Sequence, residues 1–297
     1  MEKLPNEKQL SPLKDLVIAG SHNSGTFFLD LNMEISPDAP SELGSISSVE
    51  GDLKSVIHNW SVTQSMTIYV QLLLGIRYLD LRVAYRAEDK KIRVVHGLFG
   101  CTIEEVLDEV NRFLAKYPKE IVILHFQHFY NMDQAAHETL ACTLDASFSN
   151  ILRAPGAQGP NVTLQEMWEN EKKVIVIYNE TGVVDAHSHF WPPNFINSPW
   201  PNTDDTKQLL EILKEQSEAS SVSENTFQVT QAVLTPTNRT ILGHLTSTLK
   251  DVLASECNRQ VTEWLKTLRG TTSHKFNIII ADFVELSDFI PTVISLN

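Results

Sequence analysis

The chain predicts an α/β domain built on a parallel sheet, and three observations predict it. Apolar runs of strand length, such as 16–19 (LVIA), 120–126 (EIVILHF), 173–178 (KVIVIY) and 276–281 (FNIIIA), alternate with segments of helical period. Nothing between them reads as a linker, a sequence repeat or a low-complexity tract, so residues 1–297 form a single domain. At 297 residues the chain also buries a full core and fits one βα-barrel-sized unit.

In chain order, residues 16–27 (LVIAGSHNSGTF) are an apolar strand that stops at Gly20 and delivers His22 and Asn23, the pattern of a buried parallel strand ending in a catalytic loop. Residues 33–52, rich in Pro, Ser, Gly and acids, form a long excursion over that strand's mouth, either a lid or an insertion. A helical pattern over 63–74 closes at Gly75, and 75–82 (GIRYLDLR) is a strand whose period of two puts Asp80 and Arg82 on one face. The strand 92–95 ends at His96-Gly97. Three consecutive strand ends therefore carry His, Asp/Arg and His.

Thr102 opens a capping box, Thr-Ile-Glu-Glu, before an amphipathic helix to Tyr117. The strand 120–126 follows, with His125 buried and Gln127 facing the mouth, then a helix over 133–149 and a loop over 154–160. Thr163 starts a short helix, and the strand 173–178 ends at Tyr178. Residues 185–205, with two Trp and four Pro, break the rhythm. They form a long aromatic loop that closes on substrate, touches a bilayer interface or packs on itself. His187-x-His189 in that loop has metal-ligand spacing, but a loop HxH alone is a weak signal and no metal is expected there. Helices over 206–219 and 240–268 flank a strand over 227–234, and 276–281 is the last strand before a terminal segment, 286–296. That makes about seven strands, so the pattern by itself does not require a closed eight-stranded barrel.

The formal charge of −13 disfavours nucleic acid and broad docking to anionic bilayers. Three scattered cysteines, without a CxxC, argue for a reducing compartment rather than a disulfide framework. No signal-peptide pattern opens the sequence, no apolar run approaches the roughly 18 residues of a membrane span, and the four glycosylation sequons read as chance. The expectation is a cytoplasmic protein with no transmembrane segment.

Two histidines and an arginine suit attack on a phosphodiester: one His deprotonates an oxygen nucleophile, one protonates the leaving oxygen, and Arg meets the phosphoryl charge. In a closed barrel the last strand neighbours the first, so Asp282 either bonds to His22 or caps the following helix. The motifs GSHNSGT, GIRYLDLR and HGLF, with WSVTQ at 60–64, FQHFY at 126–130 and ADFVEL at 281–286, resemble the X region of phosphoinositide-specific phospholipases C. The match is similar in particular to small single-domain animal proteins described as X-domain-containing, nearly end to end.

That resemblance implies a TIM-type (β/α) barrel, irregular or incompletely closed. It implies hydrolysis of phosphatidylinositol-type lipids to diacylglycerol and inositol (cyclic) phosphate, with a phospholipid at a membrane surface as the transient partner. His22, His96, Arg82, Asp80 and Asp282 would be catalytic, with Asp80 and Asp282 orienting the histidines; Asn23, Gln127 and Tyr178 would bind substrate. In the calcium-dependent members an Asn after the first His, two acids on the second strand and an acid on the fourth hold the ion. Here Asn23 and Asp80 remain, but Arg82 and Gln127 replace two carboxylates, so no metal and no cofactor are expected. Asn23 also departs from the bacterial pattern, in which an acid follows the His and supports the general acid. The alternatives are a weakly active or inactive inositol-lipid-binding barrel, or a phosphodiesterase for another glycerophospholipid or a sphingolipid.

Overall fold

Two sets of alternating side chains decide the architecture. Along the strand at 174–178, Ile175 and Ile177 join an inner cluster with Leu16, Ile18, Tyr78, Ile123 and Ile280, while Val174, Val176 and Tyr178 join an outer one under the helices. A strand apolar on both faces is stable only where both are covered, as in a barrel wrapped by helices. The computed structural model of the chain describes residues 1–39, 50–218, 225–271 and 275–297.

Nine strands are present among these residues: β1 (Ile18–Ser21), β2 (Tyr78–Arg86), β3 (Lys91–His96), β4 (Leu98–Thr102), β5 (Val122–Tyr130), β6 (Val174–Tyr178), β7 (Ile196–Asn197), β8 (Phe227–Ala232) and β9 (Ile278–Ala281). The helices are α1 (Asn6–Gln9), α2 (Glu50–Ser61), α3 (Ile68–Leu74), α4 (Ile103–Lys116), α5 (Gln134–Phe148), α6 (Leu164–Glu169), α7 (Thr181–Ala186), α8 (Thr206–Glu218), α9 (Asn238–Gly243), α10 (Ser255–Thr267) and α11 (Phe289–Ile294). Seven strands are parallel, in the order β6–β5–β2–β1–β9–β8–β7. Among the described residues no ladder joins β6 to β7. A single bridge, Ile177 to Trp191, spans that seam, so the barrel is incompletely closed. Gly20 is required in β1, because a Cβ there would sit 2.8 Å from both Ile280 and Tyr78 inside the barrel.

Three expectations are corrected. The strand at 92–95 is not a barrel strand: β3 runs antiparallel to β2, with Val83 opposite Val94, and β4 turns back along β3. β2 overshoots the barrel mouth and β3 returns, so His96 arrives at the level of the mouth from above. The helix expected over 240–268 is broken into α9, a π-helical turn at Lys250–Ala254 and α10, with Ser255 Oγ donating to Lys250 O at 2.8 Å. Residues 50–61, assigned to no helix by the sequence, form α2, and 40–49 of the excursion lie outside the described residues. The boundaries at Gly75, Thr102 and Thr163 follow local chemistry. Gly75 caps α3 at φ 124°, and Thr102 and Thr163 each form a reciprocal capping box, with Glu105 and Glu166.

Candidate active site

His22 is the first residue past β1. Its N–H donates to Ala281 O at 3.1 Å, and its carbonyl accepts from Gln64 Nε2 at 2.9 Å and Thr63 Oγ1 at 3.1 Å. Gln64 Nε2 also donates to Ala281 O, and Phe283 N donates to Thr63 O, so the WSVTQ segment ties the β1 and β9 loops together. Because Ser21 is in register with Ala281, Asp282 emerges beside His22, with Oδ1 2.7 Å from Nδ1. Asp282 caps no helix, since α11 begins at Phe289. An ionised carboxylate only accepts, so it keeps the proton on Nδ1 and leaves Nε2 as the free ring nitrogen.

His96 has the same polarity by a different device. Its Nδ1 lies 2.7 Å from Ser61 O, a carbonyl that can only accept, so Nε2 is again free. The two imidazoles stand 6.5 Å apart between centroids at 78°. The next residue, Gly97, has φ +72°, and a Cβ there would meet Ser61 Oγ at 2.6 Å, so only glycine makes this turn. Its N–H donates to Asp38 at 3.1 Å, while Ser36 N donates back to Gly97 O.

Arg82 completes the set. Its Nε is buried without a hydrogen-bond partner, and among the described residues the guanidinium pairs with no carboxylate. It lines, together with His22, His96, Asp38 and Asp282, a cavity of about 290 Å³ whose apolar wall includes Ile57, Trp60, Leu234 and Ile241. An unpaired guanidinium on one cavity with two imidazoles suits an anion. Burial pushes the His96 imidazole below its ordinary pKa and the Arg82 charge pushes it further, while Asp38 and the Ser61 carbonyl oppose.

The other expected residues fall elsewhere. Asp80 does not orient His96: it is buried, its Oδ2 accepts from Asn23 N at 3.1 Å, and Asp38 is the carboxylate that acts on His96. Asn23 is buried at φ 41° with both ends of its amide unpartnered. Tyr178 does not face the mouth. With Ile175 and Ile177 inside the barrel, the period of two turns it outward, where it stacks on Phe129 and Phe190 and bonds to His137 Nδ1 at 2.8 Å. Gln127 does not end its strand. β5 continues to Tyr130 through a bulge that places His128, not Gln127, opposite Arg82; the Gln127 carbonyl accepts from Asn179 Nδ2. His125 is satisfied as a neutral imidazole, with Nδ1 2.6 Å from Tyr78 Oη and Nε2 3.1 Å from Asn179 Oδ1.

Sequence reasoning missed Asp38, which sits in an irregular excursion and carries no motif. Ser61 acts through its backbone carbonyl, which no side-chain pattern reveals. The residues present do not fit a calcium ion: Asp80 offers one carboxylate and Asn23 one amide oxygen beside the Arg82 guanidinium, and the cavity's other carboxylates, Asp38 and Asp282, are engaged by Gly97 N–H and by His22, against the six to eight oxygens such an ion takes. A larger cleft of about 830 Å³ opens at the opposite, N-terminal ends of β1, β8 and β9 and holds no histidine.

In the 185–205 segment the two Trp divide the work. Trp191 is fully buried in the inner cluster, with Nε1 donating to Arg153 O, whereas Trp200 is 59% exposed at the cavity rim and donates to Thr235 Oγ1.

Paired histidines and a free arginine at the C-terminal mouth of a parallel barrel form a site suited to an anionic phosphodiester. Residues 51–180, which include Arg82 and His96, match the family model for the phosphatidylinositol-specific phospholipase C X domain. Human PI-PLC X domain-containing protein 3 is 35% identical over all of this chain and 92% of its own length, and mouse PI-PLC X domain-containing protein 2 is 36% identical over all of this chain and 86% of its own. The chain belongs to the PI-PLC X domain-containing family. Among solved structures, the phosphatidylinositol-specific phospholipases C of Listeria monocytogenes (TM-score 0.66, 17% identity, all of this chain and 97% of that one) and of S. aureus (0.69, 18%, all and 96%) share the barrel. At those identities the likeness concerns the fold alone. Among the described residues no helix is long and apolar enough to cross a membrane.

Proposed function

We propose that the chain is a phosphoric diester hydrolase that cleaves phosphatidylinositol-type lipids by a metal-independent, two-histidine mechanism. The observation that carries this reading is the pair of imidazoles, each with Nδ1 engaged by an acceptor and Nε2 free, on one cavity with an unpaired arginine. His22 Nε2 takes the proton of the inositol 2-hydroxyl, whose oxygen attacks phosphorus in line. Arg82 meets the charge on the phosphoryl oxygens, and His96 Nε2–H protonates the departing diacylglycerol oxygen. Asp282 holds the His22 tautomer and stabilises the imidazolium that forms. The first products are diacylglycerol and inositol cyclic phosphate.

His96 must carry a proton for this, yet burial and Arg82 favour its neutral form in the free chain. A bound phosphodiester anion offsets the Arg82 charge and lets His96 protonate in the complex, with Asp38 adding to the effect. The same observation favours a second reading, an inositol-lipid-binding barrel with weak turnover, if that recovery is incomplete.

The test is phosphatidylinositol hydrolysis with a chelator present, comparing wild type with His22→Ala and His96→Ala and following inositol cyclic phosphate. Chelator-resistant product lost in both variants is expected. Product that disappears with chelator refutes the metal-free mechanism, and binding of phosphatidylinositol vesicles without product favours the second reading.

A further inference from the structure

A second cluster of chemistry-bearing side chains lies outside the cavity. α5 brings Glu138 and Asp145, two turns apart on one face, against His187 and His189 from the loop after α7. His189 Nε2 lies 2.5 Å from Asp145 Oδ1 and His187 Nδ1 lies 3.6 Å from Asp145 Oδ2. One ligand atom from each of Asp145, His187 and His189 can be chosen so that all lie within 4.8 Å of one another. Tetrahedral zinc with bonds of roughly 2.0–2.1 Å spaces its ligand atoms about 3.3 Å apart, so small side-chain adjustments reach that geometry.

The two ends of His187 are used differently. Nδ1 faces Asp145 and the cluster, while Nε2 lies 3.2 Å from Glu138 Oε2. A carboxylate accepting from Nε2–H leaves the Nδ1 lone pair for a metal, the carboxylate–histidine–metal arrangement. Both rings are also backed by the fully buried Phe190: His187 stacks on it at 5.6 Å and His189 meets it edge-on at 4.5 Å. The turn itself is fixed by His187 N to Val183 O, Phe190 N to His187 O and Trp191 N to Val176 O, at 2.8–2.9 Å. The HxH spacing alone was a weak signal. Asp145 and Glu138, more than forty residues earlier, supply what it lacked.

We propose that Asp145, His187 and His189 bind one borderline divalent transition-metal ion, zinc foremost, with Glu138 holding His187. Two imidazoles and one carboxylate suit zinc far better than calcium or magnesium, which take oxygen shells. The ion would tie α5 to the loop that bridges the open β6–β7 seam through Trp191. None of these residues lines the His22 cavity, so the site is separate from hydrolysis.

The experiment uses the full chain without an affinity tag, stripped with chelator and then titrated with zinc against a chromophoric competitor, with Co²⁺ absorption as a second readout. One zinc per chain is expected. His189→Ala and Asp145→Asn each weaken it at least a hundredfold, and Glu138→Gln weakens it ten- to a hundredfold. Circular dichroism establishes that each variant is folded. Zinc bound only at millimolar concentration, or affinity that survives His189→Ala in a folded chain, overturns the proposal.

Discussion

Replacing Asp282 by Asn isolates the part of the site that sequence adjacency could not guarantee. Asp282 Oδ1 accepts from His22 Nδ1 at 2.7 Å, and its side chain is only 5% exposed, so solvent does not screen the pair. Asn keeps the shape and, on the proposed mechanism, removes the charge that stabilises the imidazolium formed as His22 takes the proton. A hydrogen bond to a charged group contributes about 1.5–3 kcal/mol, and each 1.36 kcal/mol of barrel-site transition-state stabilisation is a factor of ten. The expected loss in kcat is therefore roughly 10- to 150-fold, and larger if the amide presents its NH₂ to Nδ1 and forces the wrong tautomer. KM should stay within about twofold, because Asp282 acts through His22 rather than on the phosphate. The assay is cyclic-phosphate release from phosphatidylinositol vesicles for wild type, Asp282→Asn, His22→Ala and the double variant. A positioning role makes the aspartate substitution silent once His22 is gone. A single variant within twofold of wild type, or losses that multiply in the double variant, would refute the coupling.

Two further outcomes follow from the charges around His96. Asp38→Asn keeps an acceptor for Gly97 N–H but removes the carboxylate that favours the charged imidazole, so the His96 limb of the kcat–pH profile moves to lower pH, whereas Asp80→Asn leaves that limb in place. Stability should fall as pH drops below about 6.5, because His96, His125, His128 and His137 are all held below their ordinary pKa, chiefly by burial. The unfolded chain then binds more protons than the folded one, so stability rises with pH through that window at up to about 1.4 kcal/mol per unit for each such group. Denaturation midpoints of wild type and His96→Asn between pH 5 and 8 check it: the variant's slope should be shallower by no more than one group's share, and an equal slope would remove His96 from the account.

The barrel was legible because its signal is local. Apolar runs of strand length and caps at Gly75, Thr102 and Thr163 depend only on neighbours in the chain, and each reappears as an element end. Side-chain direction at strand ends was less secure. Period-two counting placed Asp80 and Arg82 on one face, but Gln127, expected to end its strand at the mouth, falls at a bulge in β5, and His128 takes the position opposite Arg82. Tyr178 failed for a simpler reason: a run apolar on both faces, such as 173–178, contains nothing to say which face is inside. The hairpin direction of β3 was equally hidden, because an antiparallel return and a parallel crossover share one apolar pattern.

The site's electrostatics lay furthest from the sequence, since they depend on which carboxylates stand beside which imidazoles. His22 receives Asp282 across 260 residues by way of the β1–β9 register, and that neighbour relation follows once the barrel is assumed. Among the described residues His96 pairs with no carboxylate. It has a backbone carbonyl at Nδ1 and, beyond Gly97, the Asp38 carboxylate delivered by the excursion over the mouth. Where the resemblance places an acid after the first His this chain has Asn23, whose side-chain amide is buried and unpartnered, and Asp38 approaches His96 from a different piece of chain. On the proposed mechanism the base, His22, is thus built into the barrel, while the charge that supports the acid, His96, comes from a segment outside it. That division makes the His96 limb, rather than the His22 limb, the part of the pH profile most exposed to changes in the excursion at 33–39.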